Sequence, residues 1–199
     1  MPTLSEAGSK ELLGAFGVPF PSEQVVTTAD AAVEAAGALG YPVVVKLGGA
    51  AIAHKTERGL VRLDLGTPEA VRSAAEALLA AATPDDGEVH LLVAPMLRAT
   101  RELIAGLHHD EQFGMTVMLG IGGVLTEALA DVSFRLVPIT RVDAEEMIDD
   151  LALQALLGPF RGEPAVDRAA VADVLLGLSD AAARRADIAS ADLNPLLVV

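Results

Sequence analysis

Two hydrophobic periods alternate along the chain. Leu12, Leu13 and Phe16 fall on one helical face behind Ser5 as N-cap and Glu6 in the first turn, and Gly17 and Pro19 stop the pattern. A second helix is predicted from Thr28 or Asp30 to Leu39, ended by Gly40. Tyr41-Pro42 then turns the chain into Val43-Val44-Val45-Lys46-Leu47, a β-branched run that predicts a strand. Gly48, Gly49, Ala50 and Ala51 read as a loop of small residues. Leu60–Leu65 alternates as a strand, with Val61, Leu63 and Leu65 assigned to one face and Arg62 and Asp64 to the other. Thr67 as N-cap and Pro68 at the first helical position predict a helix to about Ala82. Residues 83–87 read as a loop, and His90–Ala94 as a strand.

Beyond Pro95 the segments shorten and crowd. Strands are predicted over Glu102–His108, Thr116–Leu119, Val124–Leu129 and Ser133–Val137, too close together for parallel crossovers and therefore antiparallel. Helical periodicity resumes over Asp143–Leu157 and from Asp167 to about Arg185, and Asp192–Val199 reads as a last strand. The prediction is an α+β chain of two lobes, 1–94 and 95–199, hinged near Pro95.

Composition narrows the class. Hydrophobic residues are 52% of 199, enough for a sizeable core, but aromatics are only 3%, so Ala, Val and Leu must fill it. No run approaches the ~18–20 apolar residues of a membrane span. The N-terminus shows no charged region followed by an apolar run, and there is no cysteine for disulfides or thiolate zinc sites. A cytoplasmic protein is expected. The net charge of −14 repels nucleic acid and anionic membranes, so neither is expected as a partner. A nucleotide remains compatible, because local cations and backbone N–H groups override a distant field.

Lys46 ends an apolar strand before small residues that let a backbone approach a phosphate; equally, it reads as a lysine snorkelling from a strand end. It is not a Walker lysine, since it precedes the glycines. His54, beside Lys55 and Arg58, reads as a phosphoryl-accepting nucleophile or as a surface loop histidine. Two neighbouring cations would favour its neutral form. His108 and His109 point opposite ways on a strand and make a poor chelate, and His90 reads as structural. Gly120-Ile121-Gly122-Gly123 lacks the spacing of a dinucleotide loop and reads as a tight turn or a close approach. Glu127, Asp131 and Arg135 read as surface charges. Asp192 and Asn194, two apart on a strand, offer hard oxygens that suit Mg²⁺, or else form a turn before Pro195.

Taken in order, these segments resemble the ATP-grasp domain of ADP-forming acetyl-CoA and acyl-CoA synthetases, a family related to the β subunit of succinyl-CoA synthetase. The resemblance covers nearly the whole chain. Leu4-Ser5-Glu6-Ala7 and Gly17-Val18-Pro19 look like its opening, and Val45-Lys46 with Ile52-Ala53-His54-Lys55-Thr56 like its lysine strand and histidine loop. Glu102-Leu103-Ile104-Ala105-Gly106, Phe113-Gly114, Gly120–Gly123, Asp131–Leu136 and Asp192-Leu193-Asn194-Pro195-Leu196 follow in family order.

The resemblance implies an ATP-grasp fold, two lobes with a nucleotide cleft between them. It implies ATP or ADP with Mg²⁺ as cofactors. Lys46 would contact phosphates, the backbone near Ala94 and Leu97 adenine, Glu102 the ribose side, and Asn194 with Asp192 the metal. His54 would relay a phosphoryl group to and from a phosphohistidine on a CoA-binding, α-like subunit or domain. The reaction would interconvert acyl-CoA, ADP and phosphate with a carboxylate, CoA and ATP.

Three departures stand out. Gly59-Leu60 replaces the family's Gly-Gly, Ala94-Pro95 replaces a polar hinge pair, and the strand bearing a second metal-binding aspartate would lie beyond Val199. Lobe B is therefore expected to be C-terminally truncated. The rival reading is a nucleotide-sensing regulatory module of a protein acetyltransferase.

Overall fold

A computed structural model describes residues 4–49, 52, 58–99, 101–123, 130–160 and 162–198. The strand expected over 124–129 lies outside them, as do His54 and Glu127. The chain divides into two compact units, Pro2–Lys10 with Phe20–Leu97, and Glu11–Pro19 with Arg98–Val199. The boundary between the halves falls between Leu97 and Arg98 rather than at 94/95, and residues 11–19 group with the later half.

The first unit is a four-stranded antiparallel sheet backed by two helices. Its strands are β1 (Gln24–Val26), β2 (Val43–Gly49), β3 (Val61–Leu65) and β4 (Val89–Pro95), in the order β1-β4-β2-β3. Residues 6–10 of α1 (Glu6–Gly14) also belong to it, and there the Gly8 N–H donates to Ser5 Oγ at 3.2 Å. The backing helices are α2 (Ala29–Leu39) and α3 (Pro68–Ala80). Thr28 and Thr67 cap them by accepting the N–H of Ala31 and Ala70. Val43, Val45 and Leu47 of β2 and Leu91 and Val93 of β4 pack with Ala32, Ala36, Val71, Ala75 and Leu78 in one buried cluster. Small alanines let the helices sit close to the sheet. Each fully buried Val or Leu contributes about 1.5–3 kcal/mol.

The alternation read over Leu60–Leu65 breaks down in β3. The pairing of β2 with β3 shifts register between Val43 and Val45, and Asp64 takes a φ of 59°. Leu65 consequently packs against the core while Leu63 is 58% exposed.

The second unit repeats the plan. Strands β5 (Arg101–Asp110), β6 (Gly114–Ile121), β7 (Val132–Leu136) and β8 (Ser190–Val198) form an antiparallel sheet in the order β7-β6-β5-β8. Leu103, Ala105, Leu107, Val117, Leu119 and Ile121 are buried on one face. The helices are α4 (Arg141–Asp149), α5 (Gln154–Leu157) and α6 (Arg168–Arg184).

The single helix expected over 143–157 is therefore two. Asp131 holds the break: its carboxylate accepts the N–H of Ala152 at 2.8 Å and of Leu153 at 2.9 Å, fixing the non-helical residues between α4 and α5. Gln154 Nε2 secures the bend by donating to the carbonyls of Ile148 and Leu151.

Candidate functional site

Strand β2 positions Lys46. Its odd-numbered neighbours Val45 and Leu47 turn to the helices, so Lys46 projects from the opposite face, opposite Leu92 of β4 and Val61 of β3. Its ammonium donates to Glu6 Oε1 at 3.0 Å. The same oxygen takes Lys10 Nζ at 2.9 Å, and Lys10 in turn reaches Glu23 Oε2 at 2.5 Å. Burial works to lower the pKa of Lys10, but its hydrogen bonds to Glu23 and Glu6 outweigh it and hold that pKa above 10.5. A cation seated by carboxylates on an otherwise apolar strand is what an anion-binding lysine requires before its ligand arrives.

The glycines after Lys46 have a different use from the one expected. Gly48 and Gly49 are strand rather than loop, continuing β2 against β4 as far as Val89. A Cβ at Gly48 would lie 2.4 Å from His90 Nε2, so the glycine makes room for an imidazole folded across the sheet. His90, read as structural, thus stands on the same face as Lys46.

Arg58 also differs from its expected role. Its guanidinium grips Asp86 with two bonds, of 2.7 and 2.9 Å, and Asp86 further accepts from the N–H and hydroxyl of Thr83. The Arg58 pair, then the Thr83 bonds, hold the Asp86 carboxyl far below its ordinary value. Arg58 is thus engaged in a bidentate pair that ties the chain before β3 to the turn at Asp86. His54 itself lies outside the described residues.

In the second unit Glu102 and Asp192 share the sheet face opposite the buried one: Glu102 pairs with Leu197 and Asp192 with Gly106. Asn194 sits in β8 where the register shifts opposite the step from Leu103 to Ala105, and both Asp192 and Asn194 are exposed. Two hard oxygen donors on an edge strand fit Mg²⁺, which takes one or two protein oxygens and fills the rest with water and phosphate. Among the described residues no group of three His, Asp or Glu converges as a self-sufficient metal cage.

The Gly122 N–H donates to the Glu102 carbonyl at 2.8 Å, and a Cβ there would lie 2.9 Å from that backbone. The glycine run is a close approach of the chain to Glu102. Ala94 is buried in β4, and Leu97 is exposed just beyond it. His108 and His109 are exposed neighbours on β5, and Asp110 caps the following turn through the N–H groups of Phe113 and Gln112.

Several residues in these arrangements were not singled out from sequence. Glu6 was noted only as a first-turn acid, although its i,i+4 spacing to Lys10 was a signal for a pair. Arg101, next to Glu102, is buried and donates to the carbonyls of Leu156, Gly158 and Pro164, tying α5 and its loop to the sheet. Arg135 and Asp131, read as surface charges, are structural. Arg135 donates to Asp150 at 2.7 Å, and Asp131 fixes the connection between α4 and α5.

A lysine strand and a strand of hard oxygens, each on a four-stranded antiparallel sheet, accord with the family suggested by sequence. The family model described as an ATP-grasp domain matches residues 2–199. The chain belongs to the ATP-grasp family.

The β subunit of the ADP-forming acetate–CoA ligase II of Pyrococcus furiosus is 39% identical over 97% of this chain and 84% of its own length. The ATP-grasp domain is also similar to acetyl-coenzyme A synthetase 1 of Ca. Korarchaeum cryptofilum in complex with coenzyme A and Ca-AMPCP. There the TM-score is 0.89 at 34% identity, covering 98% of this chain and 86% of that one. A second structure of that enzyme holds coenzyme A and Mg-AMPPCP, with its phosphohistidine segment pointing towards the nucleotide binding site. It matches with a TM-score of 0.84 at 34% identity over 98% of this chain and 86% of that one. These relationships place the ATP-grasp domain among the ADP-forming acyl-CoA ligases. No helix among the described residues is long and apolar enough to cross a membrane.

Proposed function

We propose that this ATP-grasp domain binds ADP or ATP and carries the phosphoryl-transfer half of an ADP-forming acyl-CoA synthetase. With a CoA-binding, α-like partner it would interconvert acyl-CoA, ADP and phosphate with a carboxylate, CoA and ATP. The observation that carries the reading is Lys46, a half-buried ammonium on the face of the first sheet opposite α2 and α3, held by the Glu6 carboxylate at 3.0 Å. Ligases as relatives favour turnover over the nucleotide-sensing, acetyltransferase-linked reading.

In this reading Lys46 neutralises the terminal phosphates, so charge developing on the transferred group meets a fixed cation. Backbone near Ala94 and Leu97 takes adenine, and Glu102, braced by Gly122, accepts from the ribose hydroxyls. Asp192 and Asn194 would hold Mg²⁺, which when bound supplies further charge neutralisation on the phosphates. His54 receives the phosphoryl group on a ring nitrogen from the partner's phosphohistidine and yields it to the terminal oxygen of ADP, giving ATP.

Reconstitution with a CoA-binding partner tests the proposal. ATP formation should require acyl-CoA, ADP and phosphate together. Absence of ATP formation by a reconstituted complex that binds CoA would contradict it.

A further inference from the structure

Lys46 is not waiting with an empty ammonium. Glu6, 40 positions earlier on the first turn of α1, places Oε1 3.0 Å from its Nζ. That carboxylate belongs to an alternating row, Glu23–Lys10–Glu6–Lys46, within one unit of the chain. The side chains of the row are only 13–29% exposed, so screening by water and salt is reduced. Glu6 Oε1 is shared between two ammonium groups, which divides its hold on each.

A nucleotide phosphate brought to Lys46 meets this carboxylate. The two anions compete for one ammonium, and at that distance they repel. We propose that Glu6 is a resident counter-anion that occupies Lys46 and that the nucleotide phosphate must displace, with Lys10 setting how firmly Glu6 holds on. Nucleotide affinity is then tuned downward by α1, which favours release after each turnover over retention. The inference rests on the assignment of Lys46 to the phosphates. It goes beyond it by assigning Glu6 and Lys10 roles as positioning residues.

The sign of the effect separates this from a merely structural ion pair. If Glu6 only braced Lys46, its loss would weaken nucleotide binding. As a competitor, its loss strengthens binding: one unit charge about 5 Å from a phosphate changes affinity by about fourfold even at the dielectric of water. Lys10 gives the opposite sign. Without Lys10, Glu6 turns more fully to Lys46 and nucleotide binds more weakly.

The test is ADP and ATP affinity with Mg²⁺ for the wild-type chain, E6Q, K10Q, K46A and the doubles E6Q/K46A and E6Q/K10Q, by calorimetry or NMR titration. The expected result is tightening of at least ~4-fold in E6Q, weakening in K10Q, and a smaller tightening by E6Q when Lys46 is already Ala, where the repulsion remains but there is no ammonium left to compete for. The weakening by K10Q should shrink in the E6Q background, since it acts through Glu6. Unchanged or weaker binding in E6Q, alongside clear weakening in K46A, overturns the counter-anion role and leaves the Lys46 assignment standing. Wild-type affinity in K46A overturns both.

Discussion

The two sheets share a plan and differ in what they leave uncovered. Each has four antiparallel strands, and each buries one face in an aliphatic core. The first sheet's other face carries Lys46 and His90, with Lys46 joined to Glu6, Lys10 and Glu23. The second sheet's other face carries Glu102 and Asp192, and at its β7 edge exposes Val132, Phe134 and Leu136. One unit supplies a cation whose charge is already answered, and the other supplies oxygens. Two four-stranded antiparallel sheets, connected in different orders, are thereby given opposite chemistry by the residues of alternate parity, because in a strand only every second position is needed for the core. The first unit's polar face is organised by ion pairs and the second's by backbone, as the Gly122 bond to Glu102 shows.

The largest expected effect tests what the histidine loop adds to this contrast. With the CoA-binding partner present, the chain should become phosphorylated at His54 in an acid-labile, base-stable form. His54→Ala should remove turnover by orders of magnitude while leaving ADP affinity nearly intact. Full activity in His54→Ala would sink the relay and leave the nucleotide site untouched.

Next comes the shared plan itself. Leu47→Ala and Leu119→Ala each delete a side chain with no exposure, one in each sheet. Each should cost about 2–5 kcal/mol, read from denaturant midpoints. Equal sensitivity would support two equivalent cores. A cost below about 1 kcal/mol at either position would show that its sheet is not packed as described.

A smaller effect lies in pH. Asp86 is held down by Arg58 and then Thr83, Asp143 by the Thr140 hydroxyl and N–H, and Asp110 by the N–H groups of Phe113 and Gln112, all below 3.8. Each depressed carboxyl adds stability that is complete above 3.8 and is lost as pH falls through its folded value. Lys10, held above 10.5, works the other way: its contribution is complete below 10.5 and is lost as pH rises through its folded value. Thermal midpoints should therefore fall below about pH 4 and again above about pH 10.5. Asp86→Asn should flatten part of the acid limb, and an unchanged acid limb in that variant would remove Arg58–Asp86 from the account.

What the sequence revealed follows the same division between local and distant causes. The cap of α3 was legible because Thr67 acts on an N–H three residues away, whereas the start of α2 was left between Thr28 and Asp30 and the structure puts the cap at Thr28. The antiparallel pairing of β5, β6 and β7 followed from short connections. Strand β1, three residues long, was not legible, since its order comes from pairing with β4 more than 60 positions later. Nor was the extension of β2 through Gly48 and Gly49, which depends on His90, or the break between α4 and α5, which depends on Asp131 some 21 positions earlier. In the candidate site the identity of Lys46 was readable from its strand. Its pairing with Glu6 was not, because nothing local links residues 40 apart.

The proposed chemistry depends first on Lys46 engaging the phosphates of an adenine nucleotide. The direct measurement is calorimetric titration of ADP and ATP with Mg²⁺ into wild type and Lys46→Ala, with Lys55→Ala as a second lysine for comparison. Loss of a charge-assisted contact worth roughly 1.5–3 kcal/mol predicts binding weaker by about 10- to 150-fold in Lys46→Ala and a smaller change in Lys55→Ala. Binding that is absent from the wild type at millimolar nucleotide, or undiminished in Lys46→Ala, would contradict the account.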